Sequence, residues 1–172
     1  MLKSYSDKVE LLAEKKLYGP LAWIVQPSYW ALRIYRFGRA GFGQRSAEAV
    51  VRHAVYFVLY SIVRLLTGID IPRSVQVGPR LMIHHFGGII VHPKARIGAD
   101  CVLRHGVTIG ELRMGGGVPI IGNRVVFGAY SQCYGEIQIG DDATLGAMAV
   151  VIHTVERGST VVGNPARIVR TS

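Results

Sequence analysis

A six-residue period runs through the second half of the chain and limits what it can fold into. Every sixth residue from Ile71 is apolar: Ile71, Val77, Ile83 and Ile89; after a step of two, Val91, Ile97, Leu103 and Ile109; twelve residues on, Ile121, Phe127, Cys133, Ile139, Leu145 and Val151. The next residue is glycine at 78, 98, 110, 122, 128, 140 and 146, seven of 14 positions, where 21 glycines in 172 residues would give fewer than two. Four residues after an anchor sit small or β-branched side chains such as Val75, Ala95, Val107, Val125, Ser131, Ala143 and Ala149. Neither the 3.6-residue repeat of a helix nor the two-residue repeat of a strand gives this pattern. A solenoid of short strands does: each strand turns an aliphatic side chain inward, and a corner starts at the next residue, where glycine tolerates a positive φ. Three hexads then close one triangular coil of 18 residues, and stacked coils share a narrow core. Residues 71–152 give four to five coils. The period does not fix their hand.

The first 70 residues read as a short helical region, followed by the solenoid domain over 71–172 with a loop at about 111–120. Asp7 to Tyr18 is a charged segment ended by the breaker pair Gly19-Pro20. Pro27 to Ala40 opens on a proline suited to a first helical turn, with Trp30, Ile34 and Phe37 at helical spacing and Arg33, Arg36 and Arg39 as a solvated basic face. Ser46 to Leu66 predicts a longer helix stopped by Gly68, its Tyr56, Phe57 and Tyr60 serving as packing surface.

The net charge of +9 asks for an anionic partner or for plain solvation. The cations are scattered singly with no aromatic-basic recognition motif, which argues against nucleic acid and favours an anionic membrane surface or a phosphorylated co-substrate. Cys101 and Cys133 lie 32 residues apart without a CxxC spacing, so neither a disulfide framework nor a structural zinc is expected. The opening 18 residues alternate charges with no apolar block, unlike a secretory signal. The longest apolar stretch, Ala54 to Val63, is bounded by Arg52, His53 and Arg64 and falls short of the roughly 20 residues a bilayer crossing takes. A cytoplasmic location, with peripheral contact at the inner face of the membrane, is expected.

Three segments resemble the hexapeptide-repeat acyltransferases, and within them the serine acetyltransferase group: Leu-Met-Ile-His-His-Phe-Gly-Gly-Ile-Ile-Val (81–91), Gly-Val-Thr-Ile-Gly (106–110) with the glycine-rich loop ending at Pro119, and Val-Val-Gly-Asn-Pro-Ala-Arg-Ile-Val (161–169). The resemblance implies a mainly β fold, a left-handed parallel β-helix behind the helical lead, a homotrimer, and acetyl-CoA as co-substrate with no metal. His85 falls on the family's catalytic base. A hydroxyl is a poor nucleophile until its proton is taken, and an imidazole, titrating near neutrality, suits that task. Acetyl-CoA is expected along the groove between coils near Gly128-Ala129 and Gly146-Ala147, with Arg167 among the cations for its phosphates.

The chain also departs from that group. His84 stands where the serine enzymes carry Asp, and Gly117-Val118 precedes Pro119 where they carry Arg-His. The His-His pair, Arg104-His105-Gly106 and the short helical lead look instead like the exopolysaccharide branch, typified by colanic-acid acetyltransferases. The expected acceptor is therefore a sugar or polysaccharide-repeat hydroxyl, with His84 and Arg113 as candidate acceptor contacts. Spacing adds one residue: His85 and His105 each stand two after an anchor and 20 apart, one coil plus the two-residue irregularity, so their rings should stack about 5 Å apart as neighbouring strands do. His105 then assists His85 or orients the acceptor. Serine O-acetylation, a γ-type carbonic anhydrase with zinc on His85, His92 and His105, and a catalytically inactive scaffold are the alternatives.

Overall fold

The computed structural model of the chain describes residues 25–171 except 44, together with 16, 18 and 21. Most of the charged segment from Asp7 to Tyr18 lies outside the described residues. Helix α1 runs over Pro27–Ala40 and α2 over Ala47–Thr67. Ser46 caps α2 by accepting the Ala49 N–H at 3.2 Å, and Gly68, in the left-handed region at φ 65°, ends it.

Fifteen short strands follow, wound on three faces. The first sheet holds β1 (Ile69–Asp70), β4 (Ile89–Val91), β7 (Thr108–Gly110), β10 (Gln132–Tyr134) and β13 (Val150–Val151). The second holds β2 (Gln76–Val77), β5 (Arg96–Ile97), β8 (Ile120–Ile121) and β11 (Gln138–Ile139). The third holds β3 (Met82–His84), β6 (Val102–Arg104), β9 (Val126–Phe127), β12 (Thr144–Leu145), β14 (Thr160–Gly163) and β15 (Ala166–Arg170). All neighbours are parallel except β15, which folds back antiparallel on β14 and closes the last coil. The first strand starts at Ile69, two residues before the first anchor, and the chain between β7 and β8 is the expected loop.

All 14 anchors are buried, none more than 7% exposed, and so are Val75, Ala95, Val107, Val125, Ser131, Ala143 and Ala149. Each coil thus contributes two inward residues per face to one narrow core. The corner glycines have another cause than a positive φ. A Cβ on Gly98 would lie 2.3 Å from the Gly122 carbonyl oxygen, and one on Gly128 would lie 2.5 Å from the Ala147 nitrogen, so glycine is required by the approach of the next coil's backbone. The left-handed positions fall two residues later, on Arg80, Asp100, Arg124 and Asp142. These pair coil to coil, Arg80 with Asp100 and Arg124 Nε with Asp142 at 2.6 Å; Arg124 holds the Asp142 carboxyl below its usual range.

The helices close the open end of the solenoid. Strand β2 is an edge, and its unpaired backbone groups need partners. Tyr35 Oη donates to the Val75 carbonyl at 2.8 Å and accepts the Val77 N–H at 3.2 Å; Arg36 donates to the Val77 and Gly78 carbonyls at 2.8 and 2.7 Å. Arg36 is therefore buried, 2% exposed, not part of a solvated face, while Trp30 and Phe37 point outward at 50% and 38%. The edge carbonyls draw the Arg36 fork and the Tyr35 hydroxyl to the inside and leave Trp30 and Phe37 outside.

Helix α2 also exceeds the expected apolar stretch. It continues through Arg52, His53 and Arg64 for 21 residues and is long and apolar enough, by length and composition, to cross a membrane. Tyr56 is buried as expected, whereas Phe57 is exposed.

Both thiols are fully enclosed. Burial pushes Cys101 up to about 12 and raises Cys133 further. Because the thiolate is the reactive form, neither cysteine should react with Ellman's reagent at pH 8 in the folded protein, and both should react in guanidinium. A stoichiometric reaction under native conditions would show that the coils open locally.

Candidate active site

The corner joining the third sheet to the first is built differently in one coil. Ile83 pairs with Leu103 and Val91 with Ile109, so the chain takes eight residues from Ile83 to Val91 where the next coil takes six. The two additional residues lie in the His85–Gly88 turn. This is the irregularity seen in the hexad count. His85 itself sits at φ 63°, with Gly87 and Gly88 also at positive φ. A non-glycine residue in that region costs about 1–2 kcal/mol; Tyr130 and Met148 adopt the same conformation lower on this edge, so the corner geometry imposes it. The longer turn leaves the imidazole of His85 exposed on the prism edge.

Below it the same edge repeats coil by coil. Gly106 N–H donates to the Gly87 carbonyl at 2.8 Å, Tyr130 N–H to His105 at 2.9 Å and Met148 N–H to Ala129 at 2.8 Å. The structure thus brings His85, His105, Gly128-Ala129 and Gly146-Ala147 into one column. The His85 and His105 rings stand 6.0 Å apart, edge to face, where spacing predicted about 5 Å of stacking. His105 also meets the Tyr130 ring at 5.0 Å, and its Nδ1 is buried with no hydrogen-bond partner among the described residues. Tyr130 was not singled out from the sequence. Its signal was Gly106, whose absent Cβ would lie 2.2 Å from the Tyr130 ring.

The other candidates fall around this edge or away from it. His84 ends β3, exposed and paired in register with Arg104. A cleft of about 400 Å³ opens beside His84, His85 and Phe86, with Tyr18, Gln26 and Ser28 on its far wall. At Gly128 and Gly146 the backbone N–H groups already donate to the Leu145 and Val161 carbonyls at 2.7 and 2.8 Å, so those two amides hold coils together. Arg167 is exposed on β15, donating to the Ala166 carbonyl at 3.0 Å. Arg113 lies in the loop after β7, which leaves from the corner between the first and second sheets, a different edge from His85. His92 lies beyond β4, with its Nε2 4.0 Å from Glu111 and its Nδ1 accepting the Lys94 N–H at 3.2 Å. The described residues contain no group of three or more metal-ligating side chains, so His85, His92 and His105 do not converge within the chain.

No family model matches the chain. Individual proteins do. A serine acetyltransferase of Mycobacterium tuberculosis is 38% identical over 128 residues, covering 73% of this chain and 54% of that protein. One of Helicobacter pylori is 35% identical over 151 residues, covering 85% of this chain and 83% of that protein. Among solved structures, soybean serine acetyltransferase complexed with serine has a TM-score of 0.81 at 27% identity, over 95% of this chain and 70% of that one. The chain therefore spans about half the length of the mycobacterial relative and most of the Helicobacter one.

The left-handed parallel β-helix behind a short helical lead, shared with these structures over 95% of the chain, places it in the hexapeptide-repeat acyltransferase class. Within that class, the chain belongs to the serine acetyltransferase family. The expected leaning toward exopolysaccharide enzymes is corrected here, since the relatives matched are named serine acetyltransferases.

Proposed function

We propose that this chain is an acetyl-CoA-dependent O-acetyltransferase with His85 as its general base. The observation that carries the reading is the lengthened corner, which holds an exposed imidazole directly above a second histidine. His85 takes the proton of the acceptor hydroxyl as that oxygen attacks the thioester carbonyl carbon. The C–S bond then breaks, and the imidazolium returns the proton to the departing sulfur, giving the O-acetyl ester and free CoA. The donor's extended arm lies along the column below His85, where Ala129 and Ala147 keep the corner low, and its phosphates meet exposed cations such as Arg167 and Arg170. The resemblance implies that the working unit is a homotrimer.

His105 positions His85 in this reading. Its ring buttresses the base from one coil below, and Tyr130 fixes it from the other side. His105→Ala should lower kcat by about tenfold to 100-fold, the scale of a misplaced catalytic group, and leave the KM for acetyl-CoA unchanged. His105→Phe should restore part of the loss if packing alone is involved. Unaltered turnover in His105→Ala would remove it from the mechanism.

The acceptor named by the relatives is the hydroxyl of serine. A second reading, a sugar hydroxyl, is favoured by His84 in place of Asp and by Gly117-Val118 in place of Arg-His, since those departures remove the charged groups of the serine enzymes' pattern. Thiol release from acetyl-CoA with L-serine and with a panel of sugars tests both: release with serine supports the family's acceptor, release with a sugar alone supports the second. No release with any acceptor would leave the scaffold reading. Zinc found at stoichiometric amount would revive the carbonic anhydrase.

A further inference from the structure

Helix α2 buries only a narrow seam. Ala49, Tyr56, Val63 and Thr67 face α1 and the first coil, spaced over its whole length. Val51, Val55, Val58, Ile62, Leu65 and Leu66 are exposed, the last two at 84% and 75%. At 3.6 residues per turn the exposed arc covers roughly 200°, and from Val50 to Leu66 its only polar side chain is Ser61. Soluble proteins rarely leave so continuous an apolar face in water.

Charge marks what covers it. Arg64 and His53 border the arc on one side and Arg52 on the other, so basic side chains line both of its edges. Arg52 stacks on Phe37 at 5.6 Å, which continues the surface onto the outward face of α1 with Trp30 and Arg33. Arg45 adds an exposed cation where the two helices meet. Glu48 and Asp70, the carboxylates that face Arg52 and Arg64, sit at the rim and not within the arc from Val50 onward. An apolar stripe with arginine borders and an aromatic-basic flank is the pattern of a helix lying in a bilayer interface, and the net charge of +9 suits anionic headgroups.

We propose that α2, with the outward face of α1, docks the protein on an anionic lipid bilayer, the helix lying in the plane of the membrane. The helix does not cross it. Its seam stays on the protein along its full length, with Tyr56 Oη accepting the Arg73 N–H at 3.1 Å and Tyr60 Oη donating to Asp70. The docking holds whichever hydroxyl is acetylated.

The test is co-sedimentation of the full chain with vesicles of phosphatidylethanolamine and phosphatidylglycerol, against vesicles of phosphatidylcholine alone. The wild type is expected to pellet with the anionic vesicles and to stay in solution with the neutral ones. A Leu65→Gln/Leu66→Gln variant should lose the sedimentation while keeping its far-ultraviolet circular dichroism and its acetyl-CoA turnover. An environment-sensitive fluorophore on Leu66→Cys keeps the test decisive should that variant misfold; the buried Cys101 and Cys133 leave position 66 as the reactive thiol. Its emission should move to the blue when anionic vesicles are added. Wild type left in solution with anionic vesicles would overturn the proposal. So would a probe already blue-shifted without lipid and unmoved by vesicles, which would assign the face to a second copy of the chain.

Discussion

A His85→Ala enzyme will turn over about 10²–10⁴-fold more slowly than wild type, the usual contribution of a positioned general base, with its affinity for acetyl-CoA unchanged. The loss falls on kcat because the imidazole moves a proton during the reaction and does not hold the bound donor. His85→Gly gives the sharper result. The residue stands at φ 63°, where a side chain costs about 1–2 kcal/mol, whereas glycine's extra freedom in the unfolded chain costs about 0.5–1 kcal/mol. His85→Gly should therefore be inactive and at least as stable as wild type, the trade expected where a strained position serves chemistry. Steady-state thiol release and a thermal melt on the same preparations check both halves. An active His85→Gly would displace the base. An inactive and clearly less stable one would make the ring a packing element.

Most of the solenoid could be read from the chain because its core repeats. Ile97, Leu103 and Ile109 need only be aliphatic and six apart, and all three are fully buried. The His85–His105 pairing was equally legible, since register in a stacked coil is arithmetic: 18 residues plus the two inserted at the His85–Gly88 turn. Two things were not. The corner glycines were expected to supply a positive φ, but that property belongs to residues two places on, and Gly98 is glycine because Gly122 passes 2.3 Å from where its Cβ would be. Such a contact lies between residues 24 apart, and the hexad count does not show it. The inside of α1 was hidden for a related reason: helical periodicity ranks side chains by polarity, and Arg36 is drawn inward by carbonyls at Val77 and Gly78, some 40 residues away. The acceptor is the least legible part. It depends on charged groups at the His84 and Gly117-Val118 positions and on which surfaces meet them, and the repeat does not constrain either.

Replacing Arg36 by methionine should lower the unfolding free energy by about 3–6 kcal/mol, the loss of two charge-assisted hydrogen bonds worth roughly 1.5–3 kcal/mol each. Methionine matches the aliphatic stem, so the substitution keeps most of the packing and removes the fork. What remains is an edge strand whose Val77 and Gly78 carbonyls lie under α1 without their donors. The cost should spread beyond the site, because β2 is the edge of the second sheet and α1 is what covers it. Against a total stability of about 5–15 kcal/mol, a loss of this size leaves the first coil frayed at moderate temperature. Two companion substitutions calibrate it. Tyr35→Phe removes a hydroxyl that serves the Val75 carbonyl and the Val77 N–H, and should cost about 1–3 kcal/mol. Arg33→Met, on the outward side of the same helix, should stay within about 0.5 kcal/mol of wild type. Urea unfolding of the three variants orders them. If Arg33→Met proved as damaging as Arg36→Met, helix propensity or net charge would explain the loss, and the closure of the solenoid by α1 would need another account.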